Sequence, residues 1–136
     1  LEFLKAVKPF NLTWARLFYM YGEGQPASSL WPQLKNAVLR GERSFNMSGG
    51  EQLRDYLPIQ EVARLIASLA RRQGDAGCVN VCAGKPVSVR SLVEGWIKEN
   101  GWVIGLNLGH YPYPDYEPMA FWGDRRRLDA ILKQLF

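Results

Sequence analysis

Residues 12 to 20, LTWARLFYM, constrain the fold more than any other stretch of this sequence. The run is nearly continuous in apolar and aromatic character around Arg16 and ends at Tyr21-Gly22-Glu23-Gly24, a turn signal. It predicts a buried strand running into a loop. Upstream, Glu2 to Lys8 carries Phe3, Leu4 and Val7 at helical spacing, so the chain opens on a helix feeding a strand, half of a βαβ crossover.

The rest alternates in the same way. Leu30, Leu34, Ala37 and Val38 recur at helical spacing after Ser28 or Ser29, with Pro32 in the first turn and Arg40-Gly41 closing the helix. Ser44 to Met47 reads as a strand, Ser48-Gly49-Gly50-Glu51 as a turn, and Tyr56-Leu57-Pro58-Ile59 as a strand that its proline places at an edge or end. A helix follows with Val62, Leu65, Ile66 and Leu69 on one face and Arg71-Arg72 at its C-terminus. Cys78 to Cys82 is a strand, and Ser88 caps a helix carrying Leu92, Val93, Trp96 and Ile97 that stops at Asn100-Gly101. Val103 to Leu108 is the last strand, His110 to Met119 an ordered loop, and Asp124 the cap of a helix with Leu128, Ile131, Leu132 and Leu135. The sum is an α/β domain of about five helices and several short strands, with no repeat or linker dividing residues 1 to 136.

A chain of 136 residues, 47% hydrophobic and 22% charged, can bury a core of its own. It has no apolar run of the ~18 residues a membrane span needs, and no signal-peptide layout at its start, so a soluble protein with no membrane partner is expected. The first residue is Leu1 rather than Met, from which a longer gene product is expected. The net charge of +4 is dispersed apart from Arg71-Arg72 and Arg125-Arg126-Arg127, which suits a solvated basic face better than nucleic acid binding. Cys78 and Cys82, four residues apart on a strand, lie about 13 Å from one another, too far for a disulfide or a shared metal. Buried thiols and a reducing, cytoplasmic compartment are the expectation.

Catalytic and cofactor motifs are absent from the sequence: there is no Gly-x-Gly-x-x-Gly and no Gly-x-x-x-x-Gly-Lys. The sole histidine, His110, sits among Pro and Tyr and reads as a loop residue. Ser48-Gly49-Gly50 is either a phosphate nest or a turn between strands. Trp14 and Trp96 read as core rather than stacking platforms.

Four ordered segments resemble the extended short-chain dehydrogenase/reductases of the NAD-dependent epimerase/dehydratase group. Arg16-Leu17-Phe18-Tyr19-Met20-Tyr21-Gly22-Glu23-Gly24-Gln25 is similar to R-L-F-N-V-Y-G-P-G-Q. Gln52-Leu53-Arg54-Asp55-Tyr56 with Ile59-Gln60-Glu61-Val62-Ala63 is similar to Q-x-R-D-[FY] and V-x-D-V-A. Val79 to Leu92 resembles N-V-G-S-G-x-P-V-S-V-R-E-L, and Phe121-Trp122-Gly123-Asp124 with Arg127-Leu128 resembles W-A-D-x-x-K-L. Together they cover the family's C-terminal half, beginning after the Tyr-x-x-x-Lys pair that carries its chemistry.

The resemblance implies the substrate-binding part of an NAD(P)-dependent nucleotide-sugar epimerase, dehydratase or reductase, inactive without its dinucleotide-binding half. Residues 1 to 25 would belong to that half's sheet, with Leu17 and Phe18 beside the NAD or NADP. Arg54 matches the arginine on the substrate diphosphate; an ion pair with Asp55 or Glu51 is the competing reading. Ser29 and Leu30 match the helix start that meets the nucleotide, Phe45-Asn46-Met47 the strand against the base, and Tyr56 and Val89 the pocket lining. Two positions depart from the pattern: Tyr19 replaces an Asn that reaches the substrate, and of R-P-x-D only the acid survives, as Glu117. A stand-alone nucleotide- or sugar-binding module is the alternative, and an interaction domain using the basic face a third. Without its other half, the opening strand is expected to be unpaired and to drive self-association, giving a homo-oligomer, or to repack on the remainder.

Overall fold

The computed structural model describes residues 1–8 and 10–134. Leu135, expected on the last helix, lies outside the described residues. The elements are α1 (Glu2–Val7), β1 (Thr13–Leu17), β2 (Tyr19–Tyr21), α2 (Leu30–Leu39), β3 (Ser44–Asn46), β4 (Leu53–Arg54) and β5 (Tyr56–Pro58), then α3 (Ile59–Ala70), β6 (Gly77–Val81), β7 (Val87–Ser88), α4 (Val89–Glu99), β8 (Gly105–Asn107), β9 (Ala120–Phe121) and α5 (Arg126–Leu132). The α/β class with five helices is as expected. No described helix is long and apolar enough to cross a membrane.

The opening run is two strands rather than one. It breaks at Phe18: β1 pairs in parallel with β6, from Thr13 opposite Gly77 to Leu17 opposite Val81, while β2 pairs in parallel with β5. The strand is therefore not left unpaired, yet it is not buried either, for Trp14 is 52% exposed and Leu17 is also exposed. Its apolar character serves a face that no described residue covers. β3 pairs in parallel with β8, and β4 lies between β7, antiparallel, and β9, parallel. The two-residue strands β4, β7 and β9 are too short to leave a periodic signal. Residues 48–51 connect strands of separate sheets instead of turning a hairpin, and a Cβ on Gly50 would lie 2.9 Å from the Arg90 backbone nitrogen, so packing alone requires that glycine.

Helix ends follow the sequence closely. α2 and α4 both finish with a glycine at positive φ, Gly41 and Gly101. In each the glycine N–H and the next N–H bond back to carbonyls of the last turn: Gly41 to Val38 and Glu42 to Ala37, Gly101 to Lys98 and Trp102 to Ile97. Ser88 caps α4 through its Oγ, which accepts from the Ser91 N–H at 3.1 Å. At α5 the cap position is Arg125, one residue later than expected, although Asp124 Oδ1 accepts the Arg126 N–H at 2.9 Å. Arg126 holds the Asp124 carboxyl down at about 2. Pro58 caps α3, so Ile59 opens that helix rather than closing the strand before it. Ile66 is exposed, and Val103 stands outside β8 in solvent.

The core is bipartite. One cluster packs Leu57, Val62, Leu65 and Leu69 against Val79, Val81, Leu128 and Ile131. The other gathers Leu34, Ala37, Phe45, Met47, Val93 and Trp96, with Tyr21, Trp31 and Trp102 against them. Trp96 is 2% exposed, as read from its helical spacing, whereas Trp14 is not core.

Strand parity misleads for the cysteines. Val79 and Val81 point inward, so Cys78 points out and is exposed; Cys82 is buried because it lies past the strand end, in the bend that follows. Burial foremost, with the Asp55 charge second, pushes the Cys82 thiol up to about 11.

Asp55 is fully buried and ties three loops together. Its Oδ1 accepts the Ala83 N–H at 2.6 Å, and its Oδ2 accepts those of Gly84 at 2.9 Å and Gly123 at 3.2 Å. A Cβ on Gly123 would sit 2.6 Å from Cys82 Sγ and 2.9 Å from Phe18 Cζ, so only glycine brings that amide in. Asp55→Asn, which cannot accept from all three donors, is expected to cost about 3 kcal/mol of stability in urea unfolding. Since the thiolate is the nucleophile, iodoacetamide near pH 8 should alkylate Cys78 in the folded chain and spare Cys82, as peptide mass mapping will show. An unfolded thiol ionises near 8.5 and the folded Cys82 only near 11, so its contribution to stability should fall as pH rises between those values.

Candidate functional site

Leu53 to Pro58 runs between the two core clusters, with Leu57 in the first and the Tyr56 ring 6.5 Å from Trp96 of the second. Arg54, at the head of this stretch, is 3% exposed. Its Nη1 donates to the Leu53 carbonyl at 2.9 Å and its Nη2 to Glu117 Oε2 at 3.0 Å. Its Cζ lies 6.0 Å from the centre of the Tyr19 ring. Of the two acids expected to compete for it, Asp55 is spent on backbone amides and Glu51 meets the Tyr113 hydroxyl. The partner is Glu117, 63 residues away, so sequence proximity misjudged the pairing.

Aromatic rings extend from the guanidinium in two directions. Tyr19 packs on Tyr56 at 5.2 Å and meets Phe121 edge-on at 6.5 Å, and Phe121 stacks on Phe18 at 5.3 Å. On the other side Tyr21, Trp31 and Trp96 approach one another at 4.8 to 6.0 Å. Between these groups lies a cavity of about 180 Å³ walled by Tyr19, Tyr21, Gln25, Ser29, Leu30 and Tyr56 together with Trp31 and Trp96. The indole N–H groups of Trp31 and Trp96, two of the residues lining it, are buried with no acceptor among the described residues. Gln25 fixes the mouth: it donates to the Met20 carbonyl at 2.9 Å and accepts from the Gly22 N–H at 3.2 Å. Burial foremost, and then the neighbouring Tyr19, push the Tyr56 phenol up, so it presents a neutral hydroxyl at physiological pH.

The fold therefore brings Arg54, Tyr19, Tyr56 and Glu117 into one contact group and sets Ser29 and Leu30 on the cavity that Tyr19 and Tyr56 line. The remaining predicted residues are elsewhere. Phe45 and Met47 are buried in the second core cluster, with Val89 packed against it. Asn46 is exposed and accepts from Asn107 Nδ2 at 2.8 Å, close to His110. Leu17 is exposed at the end of β1, and Phe18 reaches the group only through Phe121. Sequence reasoning missed Trp31 and Phe121 as walls of the site; they come from segments far apart in the chain, and nothing in their spacing joins them. A larger recess of about 850 Å³ lies beside Ala83, Gly84, Trp122 and the start of α5, where the cations Arg125 and Arg126 are paired with Asp129 and Asp124. No group of His, Cys, Asp and Glu among the described residues is arranged to hold a metal.

Comparisons with known proteins agree with this architecture. A curated relative, dTDP-6-deoxy-L-talose 4-dehydrogenase (NAD(+)) from Aggregatibacter actinomycetemcomitans, is 29% identical over 122 residues, which is 90% of this chain and 45% of the relative. MoeE5, solved in complex with UDP-glucuronic acid and NAD, superposes with a TM-score of 0.72 at 27% identity, over 90% of this chain and 41% of that one. UDP-N-acetylglucosamine 4-epimerase from Methanobrevibacter ruminantium M1, solved with UDP-N-acetylmuramic acid, shares the fold at a TM-score of 0.79 and 24% identity, over 96% of this chain and 42% of its own. The chain spans less than half the length of each of these relatives. The model of the NAD dependent epimerase/dehydratase family matches residues 4–82, more than half of the sequence, and the chain belongs to that family.

Proposed function

We propose that this chain is the substrate-holding part of an NAD(P)-dependent epimerase, dehydratase or reductase of a nucleoside-diphosphate sugar, and that Arg54 grips the diphosphate. The observation that carries this reading is the buried guanidinium facing Tyr19, a ring that also walls the aromatic cavity: a permanent charge with a planar donor fork, one ring away from apolar walls and a few placed polar groups. Ser29, Leu30 and Tyr56 line the space next to it for the nucleoside, and Tyr19 narrows the sugar end. Phe45, Asn46, Met47 and Val89 take a supporting role, holding β3 and the start of α4 behind the pocket. Relatives that carry UDP-glucuronic acid with NAD, or that are named as a dTDP-sugar dehydrogenase, support the same class.

NAD(P), which accepts and returns hydride in such reactions, fits this chain in part. The exposed Leu17 and the half-buried Phe18 offer an apolar wall for a nicotinamide ring. The sequence holds no glycine-rich loop to cradle a pyrophosphate, so the rest of the cofactor falls to a dinucleotide-binding half whose sheet residues 1 to 25 would extend. The exposed Phe3, Leu4, Val7, Trp14 and Leu17 are the face that half would cover. Two free thiols suit a cytoplasmic setting. A second reading, a nucleotide- or sugar-binding module acting alone, draws on the cavity lined by Tyr19, Ser29, Leu30 and Tyr56.

Titration of the 136-residue chain with UDP, dTDP, CDP and GDP, followed by NMR, should move resonances around Arg54, Ser29, Leu30 and Tyr56. Arg54→Ala should weaken that binding at least about tenfold, with Arg54→Lys in between. Silence at millimolar ligand would remove the diphosphate role. The uncovered face predicts self-association of the isolated chain, which light scattering during gel filtration will register as a mass above 15.5 kDa, and Trp14→Glu should reduce it.

A further inference from the structure

Arg54 has almost no solvent access, so an anion can reach it only by moving whatever covers it. Of its polar partners, the Leu53 carbonyl belongs to its own strand, while the Glu117 side chain is 42% exposed and carried on an irregular segment. That segment is fastened at both ends. The N–H groups of His110 and Tyr111 donate to the Met47 carbonyl, and Tyr113 meets Glu51. At the far end Leu53 N–H donates to the Met119 carbonyl at 2.8 Å. Between these ties, the backbone hydrogen bond of residues 114–118 is a local one, Glu117 N–H to the Pro114 carbonyl, and Tyr116 stands out in solvent. The carboxylate thus sits on a short irregular span that is tied to the fold at its ends and reaches Arg54 from its middle.

Resting on the reading of Arg54 as a diphosphate site, we infer that Glu117 is an internal occupant of that site, which the diphosphate of an incoming nucleotide must displace. The carboxylate offers the guanidinium the same charge-assisted bond that a phosphate oxygen would, at 3.0 Å. It keeps a buried cation compensated while the site is empty of nucleotide. Once a phosphate arrives, the two anions compete for one fork and repel each other, so Glu117 leaves with the 114–118 span. Glu117 sets the affinity of the site from within rather than adding to its grip.

Isothermal titration of UDP and of inorganic pyrophosphate into the wild-type chain, Glu117→Gln and Arg54→Ala tests this. Gln retains an amide oxygen for Arg54 while removing the competing charge, so both ligands should bind Glu117→Gln roughly tenfold tighter than wild type, and Arg54→Ala should bind both at least about tenfold more weakly than wild type. In the wild-type chain, UDP should also shift the backbone resonances of residues 114–118, a readout independent of any variant's folding. If wild type binds UDP while Glu117→Gln binds it equally or more weakly, or if the 114–118 resonances stay in place, Glu117 is a positioning residue and the inference fails alone. If neither wild type nor Glu117→Gln binds UDP or pyrophosphate, the diphosphate reading of Arg54 fails and takes this inference with it.

Discussion

The Asp55 carboxylate holds in place the parts from which the rest of this structure is assembled. Buried and bonded to the amides of Ala83, Gly84 and Gly123, it joins the stretch between β4 and β5 to the loop after β6 and to the approach to α5. A buried carboxylate is costly unless its oxygens are met by donors, and three backbone N–H groups meet that demand. Its neighbours in sequence inherit their positions. Arg54 is directed toward the loop that carries Glu117, and Tyr56 toward Trp96. One residue that touches no ligand in the proposed scheme decides where the ligand-facing ones point.

Much of the fold was legible because helices announce themselves. The apolar spacing of Val62, Leu65 and Leu69, the Ser88 cap and the glycines after α2 and α4 each act locally, and local physics survives in a linear pattern. Strands were harder. The run from Leu12 to Met20 reads as buried because its residues are apolar, yet burial depends on what lies opposite, and β1 has cover on one edge only among the described residues. Cys78 failed for a related reason, since alternation identifies two faces without saying which is inward. Within the site, Arg54, Tyr19, Tyr56, Ser29 and Leu30 were reachable from the motif resemblance, whereas the Arg54–Glu117 pair and the Trp31 and Phe121 walls are long-range contacts with no counterpart in spacing.

The two departures from the family pattern meet at the same point. Tyr19 and Glu117 both lie against Arg54, one by its ring face and the other by its carboxylate. By the resemblance, a larger side chain in place of Asn and an acid without its accompanying arginine would act together, reducing the volume and the positive charge around a single guanidinium. The site is correspondingly more apolar and more nearly neutral than two arginines would make it.

The pairing of β1 with β6 carries a consequence for how the chain is made. Arg16 and Asn80, opposite one another in that pair, are 64 residues apart, and Asn46 and Asn107, opposite in the β3–β8 pair, are 61 apart. A ribosome that has just released β1 must add several dozen more residues, several seconds of synthesis, before the strand's partner exists. Folding dominated by such distant pairings is slow, because loop closure precedes any gain from contact. The β3–β8 and β4–β9 pairs close later still in synthesis, after residues 105 and 120, so these parallel pairs wait on the last third of the sequence.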